Sequence, residues 1–262
     1  MPLREDRTAP EVRPVRSCQD GWVTQTWTAS LWGEGSATYR AILEHPFLSE
    51  LTSGTLPPEK FGYYLAQDAH YLRDFARALA VVGSKAPTHA VAGMFARHAA
   101  ATVDVELALH ESLLPELGLD PASLELIPVS PTTLGYTSYL LATAHGGSFA
   151  EGLAAVLPCY WIYARVGAAL LDRGSPDLRY QRWIDTYGGE EFAATVAEVL
   201  ACGDAVGAGL GPADDARARQ HFAITARYEW MFWDAAWRLE QWPPIGDART
   251  RRPVTAAGST PL

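Results

Sequence analysis

The sequence predicts an all-α protein, one bundle of long helices, and three observations carry that expectation. Apolar residues recur at three- and four-residue spacing through most of the chain. No stretch alternates apolar and polar residues as a half-buried strand would. Proline and glycine fall where helices of ordinary length would start and stop. A first helix is expected over residues 20–50, ending before Ser53 and Gly54. Pro57, Pro58 and Glu59 open a second, because proline fits the first turn and an acid there meets the helix dipole. It continues to about residue 83. A third spans 88–117, closed by Gly118 and Pro121. Pro131 starts a fourth, to about residue 144, which Gly146, Gly147 and Ser148 break. The fifth covers 149–173. Two shorter helices follow at 176–187 and 190–206, and a tryptophan-rich helix at 214–241 closes the set.

There is no internal repeat and no linker that would divide the bundle, so residues 20–242 read as one helical domain. Residues 1–19 read as a mobile N-terminal tail, and residues 243–262, rich in Pro, Gly, Ala and Thr, as a disordered C-terminal tail.

Composition narrows the partners. A chain of 262 residues with 48% hydrophobic and 19% charged residues suits a globular core. Its net charge of −9, without any basic run, excludes a nucleic-acid backbone binder and disfavours an anionic membrane surface. No apolar segment is expected to reach membrane-spanning length, and the arginine-bearing start has no apolar stretch after it to make a secretory signal. Cys18, Cys159 and Cys202 are odd in number and widely spaced, which fits neither a disulfide framework nor a zinc site. Reduced thiols in the cytoplasm, and a neutral or cationic small molecule as partner, are the expectation.

The informative residues are polar ones on apolar helix faces. On the second helix the stripe runs Phe61, Tyr64, Leu65, Tyr71, Leu72, Phe75 and Leu79, with Asp68 at its centre. On the fifth it runs Val156, Tyr163, Val166 and Leu170, with Cys159 one turn before Tyr163. On the last it runs Phe222, Ala226, Phe232, Trp233 and Ala236, with Glu229 in the middle. Either carboxylate alone could pair with a core arginine such as Arg165 or Arg97, or with a hydroxyl or water; Cys159 alone could be an inert core residue. Three helices that each turn one reactive group inward, flanked by aromatics, describe a pocket better than a dry core. Aromatic walls select a flat ring. Asp68 could accept two hydrogen bonds side by side, from a ring nitrogen and an adjacent amino group. Burial could keep Glu229 protonated as an acid, and Cys159 could act as a soft nucleophile.

Four segments carry a resemblance. Gln67-Asp68-Ala69-His70-Tyr71-Leu72, Leu157-Pro158-Cys159-Tyr160-Trp161-Ile162-Tyr163, the Tyr180 to Tyr187 helix and Tyr228-Glu229-Trp230-Met231-Phe232-Trp233 resemble, in order, four motifs of the TenA (thiaminase II) family. The likeness spans residues 22–242 and matches the branch that has the cysteine. It implies a haem-oxygenase-like helical bundle, a homotetramer, needing no cofactor and no metal. It also implies hydrolysis of 4-amino-5-aminomethyl-2-methylpyrimidine to the hydroxymethylpyrimidine, with cleavage of thiamin in many members. By position, Cys159 would be the nucleophile and Glu229 the acid that protonates the departing amine and then assists water. Asp68 would anchor the ring, and Tyr71 would hydrogen-bond near the thiol and favour its thiolate. Tyr163 and Tyr187 would contact substrate and orient Glu229, with Tyr136 and Phe232 as further wall.

Two rivals remain. Glu106 and His110 sit at i and i+4, with His98 and Asp104 nearby, as in a metal-dependent oxidase of the same fold. The inward faces instead offer a cysteine and tyrosines, which places the histidines on solvated or intersubunit faces. The other rival is a non-catalytic pyrimidine-binding member, which would have no need of the thiol.

Overall fold

The computed structural model describes residues 26–108 and 126–244, with 105–108 described by backbone alone. Among these residues every regular element is a helix: α1 (Trp27–Leu43), α2 (Pro46–Ser53), α3 (Pro58–Ser84), α4 (His89–Ala108), α5 (Pro131–Gly146), α6 (Phe149–Leu171), α7 (Leu178–Gly188), α8 (Glu190–Gly207) and α9 (Pro212–Arg238). Both expected tails fall outside the described residues, apart from the junction at 243–244, and so does the expected end of the third helix at 109–117.

One expected helix is divided. The helix expected over 20–50 is two helices, because Pro46 lacks the N–H that would continue the ladder and its ring disfavours a helical His45. His45 adopts an extended backbone, and its Nδ1 accepts the Phe47 amide N–H at 3.1 Å, starting α2 afresh. Gly54, at φ 72°, ends α2 in the left-handed region that glycine adopts freely.

Helix α6 is the axis of the bundle, packing against α9, α7, α8 and α5, while α3 packs against α4 and α5. Ser148 and Glu151 close a capping box at its start. At 23 residues it is long and apolar enough to cross a membrane, contrary to the sequence expectation, yet 72% of its most apolar stretch is buried inside the fold. The apolar run is therefore explained by burial on several faces at once. Pro158 lies inside α6 and deprives the Ala154 carbonyl of its usual helical donor immediately before Cys159.

Gly167 sets how closely α7 approaches. A Cβ there would collide with the carbonyl group of Tyr187, so the bare glycine lets the C-terminal turn of α7 lie directly on α6. That contact fixes the height of the Tyr187 side chain along the bundle.

Candidate active site

A cavity of about 520 Å³ opens between α3, α4, α6, α7 and the start of α8. Helix α3 contributes Asp68, Tyr71, Leu72 and Phe75, and α6 contributes Cys159, Tyr160 and Tyr163. Helix α4 adds His98, Ala101 and Thr102; Asp185, Thr186 and Tyr187 come from α7, with Glu190, Glu191 and Phe192 beyond them. Of the eight site residues expected from sequence, Asp68, Tyr71, Cys159, Tyr163 and Tyr187 line this one space. Glu229, Tyr136 and Phe232 are buried against its Tyr71 wall. The Tyr71 ring centroid stands 4.9 Å from that of Tyr136 and 5.8 Å from that of Phe232, and the Tyr136 hydroxyl donates to Glu229 Oε1.

Helical spacing explains the convergence. Asp68, Tyr71 and Phe75 succeed one another at three and four residues along α3, as Cys159 and Tyr163 do along α6. The Tyr163 hydroxyl lies 3.2 Å from that of Tyr64, and its ring packs 4.9 Å from Tyr187. Tyr187 is braced in turn by Trp183 at 4.8 Å and by Phe192 at 5.4 Å, centroid to centroid. A flat ring entering this space meets aromatic surface on several sides.

The electrostatics differ for the two reactive groups. Burial pushes the Glu229 carboxyl up to about 8; the Tyr136 hydrogen bond opposes that shift and the Asp68 charge adds to it. Near neutral pH Glu229 therefore holds its proton and can donate it. Cys159, half-buried and free, is also pushed well above its usual value, first by burial and then by the Glu229 and Asp68 charges. Tyr71 acts in the direction expected of it, lowering the thiol, but burial outweighs it. With the pocket empty, Cys159 is thus held as a thiol. The Tyr71 hydroxyl, buried beside Cys159 and Tyr136, makes no well-formed hydrogen bond with another described residue, so a polar group of a bound molecule could take that place.

The arginines considered as core partners lie elsewhere. Arg165 sits over the Trp32 ring at 4.2 Å, and Arg97 pairs with Glu198 at 2.9 Å. His98 corrects the expectation that the histidines face solvent or another subunit. It is 8% exposed and lines the cavity, with Nδ1 3.2 Å from the Tyr160 hydroxyl and Nε2 3.3 Å from Glu198 Oε2. The signal was present: Met94, Phe95 and His98 fall at the three- and four-residue spacing of one buried face. The Glu106 side chain and His110 lie outside the described residues.

An all-helical bundle whose core opens beside a cysteine, with carboxyl groups and tyrosines around it, defines the class of pocket-bearing, haem-oxygenase-like proteins. A Shewanella denitrificans domain described as having a heme oxygenase-like fold matches at a TM-score of 0.66 and 17% identity, covering 81% of this chain and 92% of that one. Residues 35–239 match the model of the TENA/THI-4/PQQC family, and the chain belongs to that family. It is similar to the aminopyrimidine aminohydrolase of Bacillus subtilis, 38% identical over 216 residues, which are 82% of this chain and 88% of that protein. It is also similar to the TenA homologue of P. horikoshii OT3, at a TM-score of 0.75 and 34% identity over 81% of this chain and 99% of that one.

Proposed function

We propose that this chain hydrolyses 4-amino-5-aminomethyl-2-methylpyrimidine to the 5-hydroxymethylpyrimidine and ammonia, and that it cleaves thiamin at the same methylene to release the thiazole. The chain is an enzyme of the aminopyrimidine aminohydrolase kind, and its reading as one is supported by similarity to the Bacillus subtilis enzyme over most of both chains. The observation that carries the reaction is the convergence of Asp68, Cys159, Tyr163 and Tyr187 on one cavity, with Glu229 held protonated against its Tyr71 wall. The setting we infer is thiamin salvage in the cytoplasm by a homotetramer.

In the bound state, Asp68 accepts hydrogen bonds from the 4-amino group and from a protonated neighbouring ring nitrogen, while the tyrosine and phenylalanine rings hold the pyrimidine flat. The Cys159 sulfur forms a bond to a ring carbon with its own electron pair, and the thiol proton passes to water in the cavity, from which the sulfur recovers it at the end. A ring π pair shifts to the exocyclic carbon and the C–N bond breaks toward the amine. Glu229 supplies the proton with which the amine departs as ammonia. Water then adds to the exocyclic methylene and yields a proton to the Glu229 carboxylate. The π pair returns to the ring, the C–S bond breaks, and the sulfur regains its proton. Glu229 ends as it began. Tyr71, beside both Cys159 and Tyr136, offers its hydroxyl to the sulfur as negative charge develops there.

The test is turnover of both substrates. Ammonia release from the aminomethylpyrimidine and thiazole release from thiamin are measured as kcat/KM. The reading expects both, with the aminomethylpyrimidine preferred. Turnover of neither contradicts it.

A further inference from the structure

We propose that Tyr64, which lies behind the cavity wall, is a positioning residue: its hydroxyl donates to Tyr163 and so leaves the Tyr163 proton to the substrate ring. This inference rests on the hydrolase reading above. In that reading Asp68 takes the 4-amino group and the ring nitrogen beside it, and a second ring nitrogen is left without a partner. That nitrogen adjoins the carbon that receives the sulfur, because the π pair that shifts to the exocyclic carbon comes from that carbon. It carries a lone pair and no proton, so only a donor can meet it.

Tyr64 is fully buried on α3, and its hydroxyl lies 3.2 Å from that of Tyr163, which lines the cavity. Burial pushes both phenols well above their usual pKa, so both keep their protons and one hydroxyl must donate to the other. The surroundings decide which. The Tyr64 ring is walled by Phe47 at 5.5 Å, Phe61 at 6.0 Å and Phe232 at 5.7 Å, and it stacks on Trp233 at 5.2 Å, centroid to centroid. The Trp183 indole, which can only donate, favours negative charge on the Tyr64 oxygen without making a well-formed hydrogen bond. Asp68, one turn further along α3, acts on Tyr64 through its charge. Among the described residues the Tyr163 hydroxyl is the one hydrogen-bond partner of the Tyr64 hydroxyl. If Tyr64 accepted, its own proton would be buried among hydrocarbon rings and an indole donor with nothing to receive it. Tyr64 therefore donates, and the Tyr163 proton is left for the cavity.

Packing holds the pair in place. Tyr163 stacks on the same Trp233 ring at 5.5 Å, and Trp183 stands 6.2 Å from Tyr64 and 6.3 Å from Tyr163. A donor fixed before the substrate arrives needs no reorientation when charge shifts in the reaction. As the C–S bond forms, the ring loses its aromaticity and the adjoining nitrogen becomes amidine-like and more basic. Its hydrogen bond from Tyr163 strengthens in the step to be accelerated, which is where binding energy raises the rate. Tyr64 acts on the ring only through Tyr163, and no proton changes owner between them.

The experiment compares the full-length wild type with Tyr64→Phe, Tyr163→Phe and the double variant, using 4-amino-5-aminomethyl-2-methylpyrimidine and measuring ammonia release. Phenylalanine keeps the packing of either ring and removes only the hydroxyl. The expected kcat is about tenfold lower in Tyr64→Phe, the worth of one neutral hydrogen bond, with KM and melting temperature little changed. In Tyr163→Phe it is about 100-fold lower, the scale of a lost donor to charge that develops in the reaction. The double variant falls no further than Tyr163→Phe, because Tyr64 then has nothing to position. A merely structural Tyr64 would cost the same factor in both backgrounds. Wild-type kcat in a folded Tyr64→Phe protein overturns the proposal, as does an equal loss in both backgrounds. Wild-type kcat in Tyr163→Phe also overturns it, so the proposal can still fail if Tyr64→Phe does not fold. If Tyr163→Phe does not fold, the kcat and KM of Tyr64→Phe decide. A wild type that releases no ammonia removes the hydrolase reading and this inference with it; active wild type with an unaffected Tyr64→Phe removes the inference alone.

Discussion

At the scale of single residues, the two reactive groups are held in their protonated forms by the same cause, the loss of water around them. For Glu229 this has a consequence for stability. Its folded pKa is raised from 4.5 to about 8, so between those values the unfolded chain gives up a proton that the folded chain keeps. The folded state binds more protons there, and stability falls as pH rises, by at most about 1.4 kcal/mol per pH unit from this one group. Glu229→Gln keeps an acceptor for the Tyr136 hydroxyl and has no proton to lose. Its melting temperature should therefore gain on the wild type steadily from pH 5 to pH 8, whatever the offset at pH 5. A difference that stays constant over that range contradicts the assignment of a neutral buried acid. The inward position of Glu229 and Asp68 was legible in the sequence, since helical spacing alone puts them on apolar stripes. The state of Cys159 was not, because the burial that chiefly sets it, and the Glu229 and Asp68 carboxyl groups that add to it, come from helices distant in sequence. His98 was legible in its spacing but not in its partners, which come from α6 and α8.

At the scale of elements, the site depends on how closely helices approach. Gly167 allows the end of α7 to rest on α6, and that contact holds Tyr187 beside Tyr163. Gly167→Ala forces the two helices apart. An overpacked contact of this kind costs about 1–3 kcal/mol, and the displaced Tyr187 should raise KM for the aminopyrimidine more than it lowers kcat. Thermal melts and steady-state kinetics of that variant check both parts, and wild-type values of stability and KM would contradict the packing argument. The helices themselves were largely predictable from periodicity and from proline and glycine punctuation. The break at Pro46 was missed because apolar spacing runs on through Phe47, Leu48 and Leu51, which bury as α2 just as they would in one long helix. Periodicity reports which residues face the core, and it is blind to a change of helix axis between two such faces.

At the scale of the whole molecule, one bundle collects an acid, a thiol and a ring-binding carboxylate from three helices that are far apart in sequence. Each of the two carboxyl groups would be costly to bury alone. Together they gather around a cavity of about 520 Å³ with aromatic walls. With the pocket empty, Cys159 is held as a thiol, so the nucleophilic attack we propose requires its proton to move. The central claim is that this sulfur carries the reaction, and the most direct measurement is ammonia release from 4-amino-5-aminomethyl-2-methylpyrimidine by Cys159→Ser beside the wild type. The serine changes little volume and removes nucleophilicity, so the account predicts a folded protein of unchanged melting temperature with turnover lost. A folded Cys159→Ser protein that releases ammonia at the wild-type rate would contradict it.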